Sequence, residues 1–286
     1  MNSNVTVCIS GDIDYFETET VEGCIEPYFK ILEKYQVKMT IPITARAVED
    51  YPERAEFILK QGHEVAIHGD IHQPFYGSVQ EQVNRLEKAK RIFGDILDYI
   101  PKGFRAPYVR HDKNTYVALV KTGFIYDSSQ VRGEVFPMGI PFGGLTFFNN
   151  FLYDWRVFPL VKPLLRFAAS VTFCPTPAKP FYLHNRLVEL PITGPDDYYL
   201  ISRNNGPRYS PTESYRIAEV WLDIVSDMKQ RENQLFVIQA HPGRMSPSYM
   251  EAIDIFLAAI SNDSRVKTKL LKEVAESFIA KQKRRD

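Results

Sequence analysis

Asp12 and Asp14 flank Ile13 at the end of an apolar run, Val5-Thr6-Val7-Cys8-Ile9-Ser10-Gly11. Residues two apart on an extended chain point to the same side, so both carboxylates can face one cavity. A buried carboxylate is costly unless it meets a cation or a metal, which the rest of the chain must supply. His68 and His72 are spaced H-x3-H, which puts two imidazoles on one side of a helical turn or tight loop. Alone, that spacing fits two surface or hydrogen-bonded histidines better than a metal site. With Asp14 on a neighbouring strand end, it completes two imidazoles and a carboxylate, a common ligand set for a catalytic divalent metal with open positions. Asp14, His68 and His72 are therefore the candidate metal ligands. Asp12 is the candidate general base, acting on a water that such a metal acidifies, or else a structural carboxylate that orients a ligand. Arg105 is a permanent cation that can hold Asp12 ionised and aimed. His241 is the candidate general acid towards a leaving amine, with Asp127 to orient it and raise its pKa. The backbone N–H of Tyr108 is placed to stabilise an oxyanion, unless Tyr108 is only a core aromatic. His63, His111 and His184 stand outside this set. His63 is expected to hydrogen-bond locally, His111 to be solvated beside Arg110 and Asp112, and His184 to lie in an insertion.

The elements that must position these residues alternate. Apolar runs predict strands at Val5 to Asp14, Val37 to Ile43, Glu64 to His68, Gly103 onward, Phe124 to Asp127, Leu187 to Ile192 and Leu235 to His241. Helical periodicity predicts helices at Val21 to Tyr35, Tyr51 to Gln61, Ser78 to Leu97, Asn114 to Thr122, Ser214 to Gln230, Pro247 to Ser261 and Leu270 to Lys281. Ser78 with Glu81 forms a capping box at the start of the third. Seven strands alternating with helices mean a parallel sheet, open or closed, and in such folds chemistry gathers at the C-terminal strand ends. Five of the seven expected strand ends carry ionisable residues of the candidate set, which chance placement does not readily produce.

The bulk composition narrows the function. The 286 residues hold 35 Lys+Arg and 35 Asp+Glu, for zero net charge, which argues against a general nucleic-acid binder that must neutralise phosphates. Three cysteines, Cys8, Cys24 and Cys174, lack CxxC spacing and do not make a disulfide framework; buried apolar thiols are expected. The N-terminal residues lack the basic and apolar regions of a secretory signal, and no apolar run is long enough to span a bilayer, so a cytoplasmic location is expected. The length suits one α/β barrel domain over residues 1–286, interrupted by a Pro-, Gly- and Phe-rich insertion at about 132–185.

In order and spacing, the candidate residues resemble the polysaccharide deacetylase (NodB-homology, carbohydrate esterase family 4) family. Its first motif resembles Ser10-Gly11-Asp12-Ile13-Asp14, and its second Gly62-His63-Glu64-Val65-Ala66-Ile67-His68-Gly69-Asp70-Ile71-His72. Its third resembles Phe104-Arg105-Ala106-Pro107-Tyr108, its fourth Tyr126-Asp127-Ser128-Ser129, and its fifth Gln239-Ala240-His241-Pro242. The resemblance implies a distorted seven-stranded (β/α) barrel with the insertion after strand 5. It implies one divalent metal, zinc before Co, Mn, Ni or Fe, held by Asp14, His68 and His72. It implies Asp12 as base partnered by Arg105, His241 as acid partnered by Asp127, and the Tyr108 N–H at the oxyanion. The implied reaction is amide hydrolysis of an N-acylated sugar. There are departures. Ile13 separates aspartates that are usually adjacent, as in a D-x-D sub-branch that includes some peptidoglycan deacetylases. Gly69 stands where Ser or Thr is usual, and its hydrogen bond is lost. Val131 stands where a Trp walls the acyl pocket, a role Phe136 or Trp155 could take. Gln239 replaces an apolar residue. Pro107, Tyr108, Gln239 and Trp155 are the expected substrate-binding residues.

Within the insertion, residues 147–167 mix aromatics and aliphatics with Arg156, Lys162 and Arg166. Such a stretch suits a cap folded on the barrel, a lid, a homo-oligomer contact or peripheral contact with the inner membrane face. The expected function is a metal-dependent N-deacetylase of an acetamido sugar or glycan, whether free, polymeric or lipid-linked. The alternatives are a deformylase or deacetylase of a lipid-linked sugar at the membrane, a ureide (allantoin-type) hydrolase, and a non-catalytic sugar-binding protein.

Overall fold

A computed structural model describes residues 5–14, 18–131, 177–193, 214–242 and 247–284. Its strands are β1 (Val5–Gly11), β2 (Met39–Ile43), β3 (Glu64–Ile67), β4 (Gly103–Phe104), β5 (Tyr126–Asp127), β6 (Phe181–Tyr182), β7 (Val188–Glu189), β8 (Gln234–Ala240) and β9 (Val266–Thr268). The helices are α1 (Thr18–Lys34), α2 (Ala45–Asp50), α3 (Pro52–Lys60), α4 (Val79–Leu97), α5 (Lys113–Lys121), α6 (Ser214–Met228), α7 (Pro247–Ser261) and α8 (Leu271–Lys283). All seven expected strands are present, as β1 to β5, β7 and β8. The short β6, β9 and α2 were not expected. Two or three residues, or a single helical turn and a half, carry no periodicity to read.

The sheet runs in the order β6-β7-β5-β4-β3-β2-β1-β8, with β9 also pairing with β1. Every pairing is parallel except β6 with β7. β1 lies inside the sheet: β8 follows it from Val5 to Gly11, while β9 and then β2 take its other edge. A strand covered on both faces is apolar along its whole length, which accounts for the unbroken run that precedes Asp12.

The sheet curls into a distorted barrel. Past β7 the chain reaches Thr193, whose N–H donates to Val237 O at 3.2 Å. The Thr193 hydroxyl donates to Leu235 O at 3.1 Å and accepts from the Val237 N–H at 2.7 Å. One threonine thus joins the β7 side of the sheet to β8, where the described residues form no regular ladder. At the opposite end of the strands from the candidate site, Glu64 is fixed by Thr40 Oγ1 at 2.6 Å, Tyr126 Oη at 2.8 Å and the Lys272 N–H of α8 at 3.0 Å. The carboxylate lies at the positive end of a helix dipole, where an anion is favoured. Gly103 lets the Tyr126 ring lie against the β4 backbone, because a Cβ there would overlap the ring.

The site loops are fastened in turn. Ile13 is buried in the main core. Its N–H donates to Pro42 O at 2.8 Å, and its carbonyl accepts from the Thr44 N–H at 3.2 Å. The spacer between the aspartates is therefore an anchor to β2. The loop from His68 to His72 turns at Gly69, at φ +82°, a conformation that favours glycine over the Ser or Thr usual there. It docks on α2, with Ala45 N–H donating to Gly69 O at 3.0 Å and Arg46 N–H to Asp70 O at 2.9 Å. Ser78 and Glu81 form the expected capping box at α4. Trp155 and residues 147–167 lie outside the described residues, as do the side chains of Cys24 and Cys174. Cys8 is buried, as expected.

Thr193→Val keeps the volume and removes both side-chain bonds, leaving the buried Val237 N–H without its acceptor. Such a loss costs about 1–3 kcal/mol. The urea midpoint should fall accordingly with an unchanged m-value, and an unchanged midpoint would show that Thr193 does not join the barrel edges.

Candidate active site

The strand ends bring the expected residues together. Asp12 and Asp14 follow β1, His68 follows β3, Arg105 follows β4, Asp127 ends β5 and His241 follows β8. Asp14, His68 and His72 each offer one ligand atom, and these atoms all lie within 4.8 Å of one another. Asp14 Oδ1 is 3.5 Å from His68 Nε2 and 3.0 Å from His72 Nε2. The residues fit a divalent ion on two observations. First, His68 Nδ1 lies 2.9 Å from Arg105 O; a carbonyl only accepts, so Nδ1 carries a hydrogen, and Nε2, which faces Asp14, is the nitrogen that a metal would take in place of a proton. Second, burial pushes the Asp14 carboxyl up, but the hydrogen bond to His68 and the fields of His68, His72 and His241 outweigh it and bring it to about 2. Asp14 is thus an anion throughout the neutral range, as a metal ligand must be.

Asp12 lies beside this cluster and is also buried. Its Oδ1 accepts from Arg105 Nη1 at 2.7 Å and its Oδ2 from Gln239 Nε2 at 2.5 Å. Burial raises its pKa. The charges of Arg105, His68 and His241, with the Arg105 hydrogen bond, outweigh burial and hold the carboxyl below its ordinary value. The expected Arg105 partnership is present. Gln239, expected at the acyl pocket, instead spends its amide on Asp12. Its register partner on β1 is Ser10, and this inward-facing position places its amide within reach of the carboxylate. No sequence signal separated these two uses of Gln239.

Arg105 is fully buried. Besides Asp12, its guanidinium donates to Ser10 Oγ at 3.0 Å, Ser128 O at 2.8 Å and Ser128 Oγ at 2.9 Å. Tyr108 is not a core aromatic: it is 50% exposed and packs on His72, with ring centroids 4.1 Å apart. Tyr108 and Val109 both take left-handed backbone, at φ +57° and +52°. This is costly for non-glycine residues and typical of functional loops. Pro107 is buried against Gly69. His241 is half-buried near Asp12 and Asp14, whose charges it influences.

Asp127 was expected to face His241. Its carboxyl accepts from Ser129 Oγ at 2.5 Å and lies against Glu189 and His111. Glu189 was not expected in the site, although a carboxylate inside the apolar run Leu187-Val188-Glu189-Leu190 is a visible signal. His111 is half-buried and bonded to Tyr116 Oη at 2.7 Å rather than solvated. His63 accepts from the Met39 N–H at 3.1 Å and packs on Phe29. Burial, then Lys38, lowers its pKa to about 4, so it is the structural residue expected. His184 is exposed in a turn.

Arg105→Leu would leave Asp12 buried without its cation, a loss of about 3–5 kcal/mol. Because Arg105 lowers the folded-state pKa of Asp12, its contribution is present above the unfolded value near pH 4 and is lost as pH falls through the folded value. The stability gap between variant and wild type, followed by denaturant titration, should be widest at neutral pH and shrink below about pH 4. A pH-independent gap would contradict the pairing.

Residues 12–126 match the family model for polysaccharide deacetylase. A peptidoglycan deacetylase of Helicobacter pylori is 24% identical over 259 residues, covering 90% of this chain and 84% of the relative. The fold is shared with a crystal structure of a candidate polysaccharide deacetylase from Mycobacterium smegmatis, at TM-score 0.72 and 19% identity over 99% of this chain and 92% of that one. It is also shared with the PuuE allantoinase, at TM-score 0.67 and 14% identity over 97% and 91%. The segment that matches the polysaccharide deacetylase model holds Asp12, Asp14, His68, His72 and Arg105, which the shared fold gathers on one rim.

Proposed function

We propose that the protein is a metal-dependent N-deacetylase of an acetamido sugar in a glycan. One observation carries the reading: a ready metal-ligand cluster, Asp14, His68 and His72, lies beside a second buried carboxylate, Asp12, held ionised by Arg105. A sugar-binding protein needs neither the cluster nor the base. The peptidoglycan deacetylase relative supports a peptidoglycan-type N-acetyl glycan as substrate. The allantoinase likeness is one of fold alone, and the intact Asp14, His68 and His72 set counts against a ureide hydrolase of the metal-free kind. No helix among the described residues is long and apolar enough to cross a membrane.

Asp14, His68 and His72 would hold a divalent ion, zinc before the other candidates; when bound it supplies Lewis acidity to the acyl carbonyl and the attacking water. The chain's own residues do the rest. Asp12 takes the proton from the water. Its two bonds to Arg105 and Gln239 occupy one acceptor site on each oxygen and leave others open, at a cost in basicity that a more acidic water offsets. The Tyr108 N–H, presented by its left-handed backbone, receives the oxyanion as the tetrahedral adduct forms. His241 gives a proton to the sugar nitrogen as the C–N bond breaks, releasing acetate and the amine. The Tyr108 ring, exposed beside His72, offers a face on which a sugar ring can pack.

Asp12→Asn should still fold and bind zinc in equilibrium dialysis, while acetate release from an N-acetylated peptidoglycan fragment falls about 10²–10⁴-fold, the contribution of a general base. Undiminished acetate release would remove Asp12 from the mechanism. Absence of acetate release by zinc-loaded wild type on every N-acetyl glycan tried would overturn the substrate class.

A further inference from the structure

Asp127 and Glu189 end neighbouring parallel strands in register with each other. Residues so paired stand on one face of the sheet, about 4.8 Å apart along the hydrogen-bonding direction. Both are fully buried. Each has one oxygen already served: Asp127 Oδ1 by the Ser129 hydroxyl at 2.5 Å, and Glu189 Oε1 by the Gln130 N–H at 3.0 Å. The remaining oxygens, Asp127 Oδ2 and Glu189 Oε2, are buried and receive no donor from other described groups, and the two side chains are within hydrogen-bond reach of each other. Three charged or titratable groups face them. Arg105 is near, but its donors are directed to Asp12, Ser10 and Ser128. His111 and Tyr116 lie on the outer side, bonded to each other, and the Gln130 side chain donates to Tyr116 Oη at 3.1 Å. Among the described residues no cation is bonded to the pair to balance two negative charges, and two carboxylates so close cannot both ionise at neutral pH.

We propose that Asp127 and Glu189 hold a single proton between their free oxygens, and that Glu189 is a positioning residue that fixes the direction and charge of Asp127 at the rim of the site. The proton turns a repulsion into a strong hydrogen bond between β5 and β7. Burial raises both carboxyls, Glu189 well above the ordinary range, in keeping with retention of that proton at neutral pH. The pair then presents one negative charge rather than two. In the proposed function, which this consequence rests on, that single charge is what Asp127 contributes at the β5 end of the site's rim.

The test uses apo protein without substrate. Infrared spectra at neutral pH should show the carbonyl stretch of a protonated carboxyl in wild type. That component should disappear in Glu189→Gln, where the amide donates instead and Asp127 ionises. It should disappear equally in Asp127→Asn, which serves if the first variant does not fold. Glu64, also buried, leaves the same background in all three proteins. A raised carboxyl pKa in the folded state stabilises fully below the unfolded value and progressively less as pH rises towards the folded value. The Tm of Glu189→Gln should therefore gain on wild type as pH rises above the unfolded carboxyl value near about pH 4. An unchanged infrared component, or parallel Tm profiles, would overturn the shared proton. Neither readout depends on turnover, so inactivity towards glycans would count against the proposed function and not against this pair.

Discussion

The buried guanidinium of Arg105 is the interaction on which the site depends. It binds Asp12 and Ser10 after and within β1, and Ser128 after β5, while its own carbonyl sets the hydrogen on His68 after β3. Four strand ends are thus referred to one residue. Burying a full charge carries a desolvation penalty of several kcal/mol, which is met only when nearly every donor finds an acceptor of good geometry. The partners of Arg105 come close to that, with the planar fork divided between a carboxylate, two hydroxyls and a carbonyl. Lysine, a point charge with no fork, could not reach the same set. A single residue therefore fixes the charge of the candidate base and the tautomer of a candidate metal ligand.

The two carboxylates of the D-x-D motif end in different surroundings although they stand on one face. Asp14 is surrounded by imidazoles, which can share it with an ion. Asp12 is tied by a permanent cation and an amide, which cannot be displaced by a metal. Ile13, buried between them and bonded to β2, is what keeps the two apart. The same contrast recurs below and beside the site. Glu64 is stabilised by a helix N-terminus and two hydroxyls, whereas Asp127 and Glu189 have each other.

Most of the fold was legible because β1, β2, β3 and β8 are buried on both faces and so read as apolar runs, with ionisable residues falling at their ends. The motif residues Asp12, Asp14, His68, His72 and Arg105 could be grouped for the same reason: a charged residue ending an apolar strand has few bland uses. What escaped were features that depend on partners distant in sequence. Gln239 bonds Asp12 across 227 positions, and its amide could as well have faced substrate. Glu189 meets Asp127 only because β7 lies beside β5. Thr193 joins the barrel edges from outside any strand, and β9 is too short and too polar to show a period.

The central claim is that Asp14, His68 and His72 form one ligand set. X-ray absorption on protein titrated with one equivalent of zinc tests it most directly, because it reports the atoms bound rather than the activity. The zinc shell should hold two imidazole nitrogens with the remaining positions filled by oxygen, and should lose one imidazole in His72→Ala. A zinc shell without imidazole, or one unchanged in His72→Ala, would contradict it.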